Sequence, residues 1–126
     1  MKMETKFIIE SSCLCGALKL QIDAEIPSSL TSCNCSSCRR YGGLLAYFPP
    51  AKVKVFAEPG ILQEYSWGDK QLAFVRCSQC GCFSHWRGMD PNLDRMGVNA
   101  RLFTNVEIEK IPVRRFDGAK TWKYLD

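Results

Sequence analysis

The 126-residue sequence has no apolar run long enough for a signal peptide or a membrane span. Its start, MKMETKFIIE, is interrupted by charges at Lys2, Glu4, Lys6 and Glu10. A soluble, cytoplasmic protein with no membrane partner is therefore expected. The same absence takes away the oxidising compartment in which eight cysteines would be read as disulfides. Blocks of like charge and low-complexity segments are also missing, so the chain should be folded throughout. No stretch keeps a helical period for three turns, and no linker or repeat divides the sequence. At this length roughly two-thirds of the unfolded surface can be buried, which leads to the expectation of a single domain over residues 1–126. The net charge of +4 arises from 17 Lys and Arg against 13 Asp and Glu, spread along the chain. A solvated surface accounts for it. The segment KIPVRRFDGAKTWK carries five positive residues but no nucleic-acid reader motif, so no nucleic-acid partner is expected.

What is present is mainly strand signal. In ALKLQIDA at 17–24, Leu18, Leu20 and Ile22 alternate with Lys19, Gln21 and Asp23, the period of a half-buried strand. AKVKVF at 51–56 alternates likewise, and Val106, Ile108 and Ile111 with Glu107, Glu109 and Lys110 give a less regular version. GLLAYF at 43–48, stopped by Pro49 and Pro50, and QLAFVR at 71–76 read as further strands. Turn residues separate these runs at Pro27, Pro59–Gly60, Gly68–Asp69, Asp90–Pro91 and Asp117–Gly118. One short helical turn is expected at Ser36–Tyr41, ended by Gly42 and Gly43. Residues 89–105 carry no clear period. The sum is a mainly antiparallel β domain.

The thiols fall into three groups: CLC at 13–15, CNCSSC at 33–38 and CSQCGC at 77–82. Residues i and i+2 of an extended chain face the same way, so Cys13 and Cys15 can converge on one ion. Cys77 and Cys80 have the spacing of a zinc knuckle, with Gly81 supplying the freedom of a tight turn. Joined, the two halves make a structural four-thiolate site from Cys13, Cys15, Cys77 and Cys80. Cys33, Cys35 and Cys38 then remain as a three-thiolate group, and three ligands leave a position for water or substrate, as in catalytic zinc. The alternative is a second closed site whose fourth ligand is Cys82 or His85, the single histidine of the chain. Cys82 otherwise reads as a small packed thiol and His85, beside Trp86, as a core or pocket-wall residue.

CLCGAL, CNCSSCRRYGG, YSWGDK, FVRCSQCGC and HW, taken in order, resemble the glutathione-dependent formaldehyde-activating enzyme family over nearly the whole chain. The resemblance implies a β-tent fold and two zinc ions. It assigns Cys13, Cys15, Cys77 and Cys80 to the structural zinc and Cys33, Cys35 and Cys38 to the catalytic one, which is expected to be the more labile. It further implies a carbon–sulfur lyase like S-(hydroxymethyl)glutathione synthase, with glutathione or a similar small thiol and formaldehyde or another small aldehyde as reactants. Asn34 stands where the family commonly has His, Tyr41 precedes Gly42 where a small residue is usual, and Cys82 replaces a frequent Ser or Thr. These changes spare the metal ligands and alter the pocket. Arg39 and Arg40, next to the last ligand, are candidates to hold a substrate carboxylate. Tyr41, Trp67 and Trp86 are candidates for either cavity lining or core. The rival function is a non-enzymatic zinc-binding β-tent module with a chaperone-like or protein-interaction role.

Overall fold

The computed structural model describes residues 7–68 and 70–126. Lys2, Glu4 and Lys6 and the Asp69 half of one expected turn lie outside them. A small sheet joins β1 (Ile9–Ser12), β2 (Leu18–Ile22) and β5 (Val53–Ala57), with β2 central. The large sheet contains β3 (Leu30–Cys33), β4 (Leu45–Phe48), β6 (Leu62–Ser66), β7 (Leu72–Cys77), β8 (Phe83–Gly88), β9 (Met96–Asn99), β10 (Val113–Asp117) and β11 (Lys123–Tyr124). Its spatial order is β11-β10-β3-β4-β9-β8-β7-β6. The only helix longer than a 3-10 turn among the described residues is α1, Ser36–Tyr41, between β3 and β4.

Alternation explains β2 directly: Leu18, Leu20 and Ile22 are buried, whereas Lys19 and Gln21 face outward. Together with Ile9 of β1, Leu20 and Ile22 pack on Leu30, Ala46, Phe48, Met96 and Val98 of the large sheet, so the main core lies between the two sheets. A fully buried Leu or Ile contributes about 1.5–3 kcal/mol, and this layer supplies most of what the chain can bury. β9, flanked by β4 and β8, is buried at all four positions. Its Gly97 lies under the indole of Trp86, with no room for a Cβ.

The mainly antiparallel β fold is as expected, and one segment departs from the sequence reading. Val106–Ile111 forms no strand; Ile108–Lys110 is a 3-10 turn. The spacing that suggested alternation instead lets Val106, Ile108 and Ile111 pack on the same core from an irregular segment. The large sheet is also mixed, because β10 runs parallel to β3 while every other strand pair is antiparallel. In this register Phe116 lies opposite Cys33, which carries the chain after β10 across the end of β3. Part of the basic segment is therefore built into the sheet with Val113–Arg115 exposed, and its Arg114 stacks 3.9 Å over Tyr124 and pairs with Asp126.

Candidate functional site

Four of the sulfurs meet where the two sheets join. Cys13 and Cys15 follow β1, and Cys77 ends β7, with Cys80 in the turn to β8. Gly16 (φ +83°) and Gly81 (φ +79°) turn the chain back tightly after each pair, a backbone conformation that L side chains rarely adopt. The Gly81 N–H donates to the Cys77 carbonyl at 2.9 Å, and the Gly16 N–H to the Cys13 carbonyl at 3.1 Å. The sulfur of Cys15 lies 3.7 Å from that of Cys13 and 3.6 Å from that of Cys77. Disulfide sulfurs would be ~2.05 Å apart. A tetrahedron of ~2.3 Å metal–sulfur bonds needs about 3.8 Å, so the spacing fits a metal and not a bridge.

All four sulfurs lie within 4.8 Å of one another. Cys13 and Cys77 are buried beside Leu18 and Ile61. The Leu18 N–H approaches the Cys13 sulfur at 3.3 Å, and backbone N–H groups of Cys15 and Cys82 help hold Cys80 down to about 5. Cys77 is lowered as well, first by the Cys80 N–H, while, against the Ala17 N–H, desolvation and the neighbouring sulfurs push Cys15 up to about 12, so the group shares its protons unequally.

The second group consists of Cys33 at the end of β3, Cys35 at the N-cap of α1 and Cys38 within α1. Its three sulfurs also fall within 4.8 Å of one another. The Cys35 sulfur accepts the Cys38 N–H at 3.3 Å, which caps the helix and fixes the thiol in one step. Gly42 ends the helix at φ +69° and donates to the Cys38 carbonyl, so the six-residue element is defined at both ends. The Cys38 thiol and, against burial, the N–H groups of Cys35 and Gly118 hold Cys33 down to about 6, while Cys38 as the proton-bearing partner is raised. Proton sharing of this kind is what three converging sulfurs do when protons stand in for a cation.

Neither proposed fourth ligand joins this group. Cys82 packs with the four-sulfur site, beside Cys80 and Cys13. His85 pairs across the sheet with Val75 and Val98, whereas Trp86 and Phe74 share the face that packs on Cys38. Alternation along β8 therefore points the imidazole away from Cys38. It is 4% exposed, bonded through Nδ1 to the Ser84 hydroxyl at 2.9 Å, and burial lowers it to about 4. Among the described residues the metal-type clusters are these two, one with four sulfurs and one with three.

A cavity of about 460 Å³ opens beside α1, lined by Ser36, Ser37, Arg40, Tyr41, Tyr65 and Trp67. Arg40 lies in this wall, tied to the Ser36 carbonyl at 3.0 Å, and Arg39 is exposed outside it. Trp67 is 58% exposed at the rim, while Trp86 is core. Tyr41 does both jobs, stacking on Phe74 and Phe83 at 5.1 and 4.8 Å while contributing to the cavity wall.

The sequence reading missed the groups on the other side of the three sulfurs. Tyr47 packs in the same cluster as Cys38, with Arg95 stacked 4.7 Å over its ring. Burial first, then the nearby Tyr124 and Cys38, pushes its phenol up to about 12. The turn after β10 presents Gly118 to Cys33, and Asp117 is drawn down to about 2, first by the Asn34 amide and then by Thr121. The Asp117–Gly118 dipeptide announced a turn, but nothing local announced where the turn would land.

A family model described as glutathione-dependent formaldehyde-activating enzyme matches residues 8–113. No curated protein matches the chain significantly. Among solved structures, the crystal structure of a Rhodobacter sphaeroides protein, a structural-genomics target, is similar with a TM-score of 0.71 and 24% identity. That similarity covers 82% of this chain and 98% of the other, and at this identity it speaks for the fold alone. The family match runs from just before β1 to the first residue of β10 and takes in both sulfur clusters, so the chain belongs to the glutathione-dependent formaldehyde-activating enzyme family.

Proposed function

We propose that the protein is a zinc-dependent carbon–sulfur lyase resembling S-(hydroxymethyl)glutathione synthase, with a structural zinc at Cys13, Cys15, Cys77 and Cys80 and a catalytic one at Cys33, Cys35 and Cys38. One observation carries the reading: sulfurs converge as a closed set of four and, separately, as a set of three. Zinc at the second set would supply a fourth position for a substrate sulfur and lower the pKa of its thiol. Three thiolate donors blunt Lewis acidity, which suits a soft sulfur better than water.

The reaction joins the sulfur of a small thiol to the carbon of formaldehyde or a related small aldehyde. The sulfur lone pair forms the C–S bond, the carbonyl π pair moves to oxygen, and the proton lost by the thiol ends on that oxygen. Reversal cleaves the same bond. Arg40, in the wall of the cavity beside α1, offers a forked cation for a carboxylate of a tripeptide thiol, and Arg39 adds positive charge outside it. Tyr47 keeps its proton across the neutral range and can donate a hydrogen bond to a developing alkoxide on the Cys38 side.

Metal analysis of wild type and Cys35→Ser, followed by carbon-13 NMR with glutathione and labelled formaldehyde, tests this. Expected are two zinc ions falling to one, and wild-type acceleration of adduct formation that the variant lacks. If wild type gives no acceleration over the spontaneous reaction across a panel of thiols and aldehydes, the lyase reading fails and a non-enzymatic zinc module takes its place.

A further inference from the structure

The segment between β10 and β11 closes one side of the three-sulfur cluster. Asn34, between Cys33 and Cys35, is the residue that ties it down. Its Nδ2 donates to Asp117 Oδ1 at 3.0 Å, and its Oδ1 accepts the Ala119 N–H at 3.0 Å. The Asn34 N–H donates to the Phe116 carbonyl at 3.2 Å. Asp117 Oδ2 accepts both the N–H and the hydroxyl of Thr121, at 3.1 and 2.8 Å, and the Asp117 carbonyl accepts the Trp122 N–H at 2.7 Å. Every polar atom of the two side chains is thereby used to fix the turn at 118–121.

The turn is fixed against sulfur. A Cβ at Gly118 would stand 2.7 Å from Cys33 Sγ and 3.3 Å from Cys35 Cβ. Gly118 is not left-handed, so contact with the ligand, and not backbone torsion, is what demands glycine there. Trp122 does adopt the left-handed region at φ 60°, a strained conformation for a bulky side chain, and its ring packs edge-on to Phe116 at 5.3 Å. Strain of this kind persists only where the surroundings over-determine it, as this bond network does.

We propose that Asn34 and Asp117 form a clamp that seats the 118–121 turn on Cys33, making both of them positioning residues for the three-cysteine metal site. The clamp holds the Cys33 sulfur in ligating position and keeps that side of the cluster closed, which slows metal loss. It rests on the reading that this cluster binds zinc. Groups that orient metal ligands from behind typically change affinity by about 10- to 100-fold when removed.

The bond pattern permits a polarity swap. In Asn34→Asp alone, two carboxylates face each other and the clamp opens. In Asn34→Asp combined with Asp117→Asn, the carboxylate now at position 34 accepts from both the residue-117 amide and the Ala119 N–H, and the residue-117 side-chain carbonyl oxygen still accepts from Thr121. Zinc release from the fully loaded protein to a chromophoric chelator separates the two sites, the three-cysteine phase being the one absent in Cys35→Ser. Asn34→Asp should accelerate that phase about 10-fold or more, leave the four-cysteine phase unchanged, and be rescued to the wild-type rate by the double variant. A wild-type rate in Asn34→Asp, equal acceleration of both phases, or a double variant as fast as the single one would overturn the proposal. A wild-type protein binding one zinc contradicts the metal reading itself.

Discussion

At the scale of single residues, His85 shows how a group that looks like a ligand can be a structural liability. Burial is the main cause of its depressed pKa of about 4, and Glu64 and Arg87, joined by a salt bridge at 2.7 Å, are the charged groups that face it with opposing effects. An unfolded histidine titrates near 6.5, so below that pH the unfolded chain binds a proton that the folded one refuses. Stability is therefore unaffected above about pH 6.5 and is lost as pH falls toward 4, by a total of about 3 kcal/mol. His85→Gln should weaken this dependence. Urea denaturation at pH 7 and pH 4.5 should show wild type losing about 2 kcal/mol more than the variant, with the acid sensitivity of the thiolates common to both. Parallel losses would contradict a neutral buried imidazole. Cys77 differs in kind: it is 0% exposed and belongs to the four-sulfur site that joins the sheets. Cys77→Ser should cost more than about 3 kcal/mol in chemical denaturation and make the remaining fold sensitive to chelator. Retention of wild-type stability would show that this cluster is not a structural site.

At the scale of elements, β2 was legible from its alternation and β4 and β7 from apolar runs bounded by turn residues, whereas β9 was not. β2 shows its inward and outward residues in the sequence, and α1 has the Ser36–Tyr41 extent and Gly42 stop that sequence alone suggested, while its Cys35 cap was not foreseen. β9 reads MGVN and is wholly buried, so it offers no period to detect; its identity depends on β4 and β8 lying either side. β10 looked like a basic tail because its partner is β3, some eighty residues earlier in the chain, and the parallel pairing leaves no local trace. The cysteine spacing defined both clusters because metal geometry is local to each motif. The Asn34 clamp escaped notice because its other half arrives through that long-range pairing. Tight packing between β8 and β9 gives a test of the sheet's centre: Gly97→Ala must displace the Trp86 indole, at a cost of about 1–3 kcal/mol. Tryptophan fluorescence and a lowered denaturation midpoint should report it, whereas an unchanged midpoint would mean the indole is not held where the packing puts it.

At the scale of the whole molecule, the two clusters occupy different places in the fold. The four-sulfur site lies where strands of the small and large sheets end, so a metal there would cross-link the layers that enclose the main core. The three-sulfur site lies in the connection from β3 into α1, against the turn after β10, and other residues of α1 line the neighbouring cavity. Among the described residues no helix is long and apolar enough to cross a membrane. On the proposed reading the second cluster keeps a place open for a thiol. Cadmium-113 NMR of the metal-substituted protein reads this directly, because cadmium favours thiolates and its shift follows the number of sulfurs bound. Two resonances are expected, one in the four-sulfur region and one outside it. Glutathione should move only the second into the four-sulfur region, and S-methylglutathione should move neither. A single resonance, or two four-sulfur resonances indifferent to thiol, would contradict the open site.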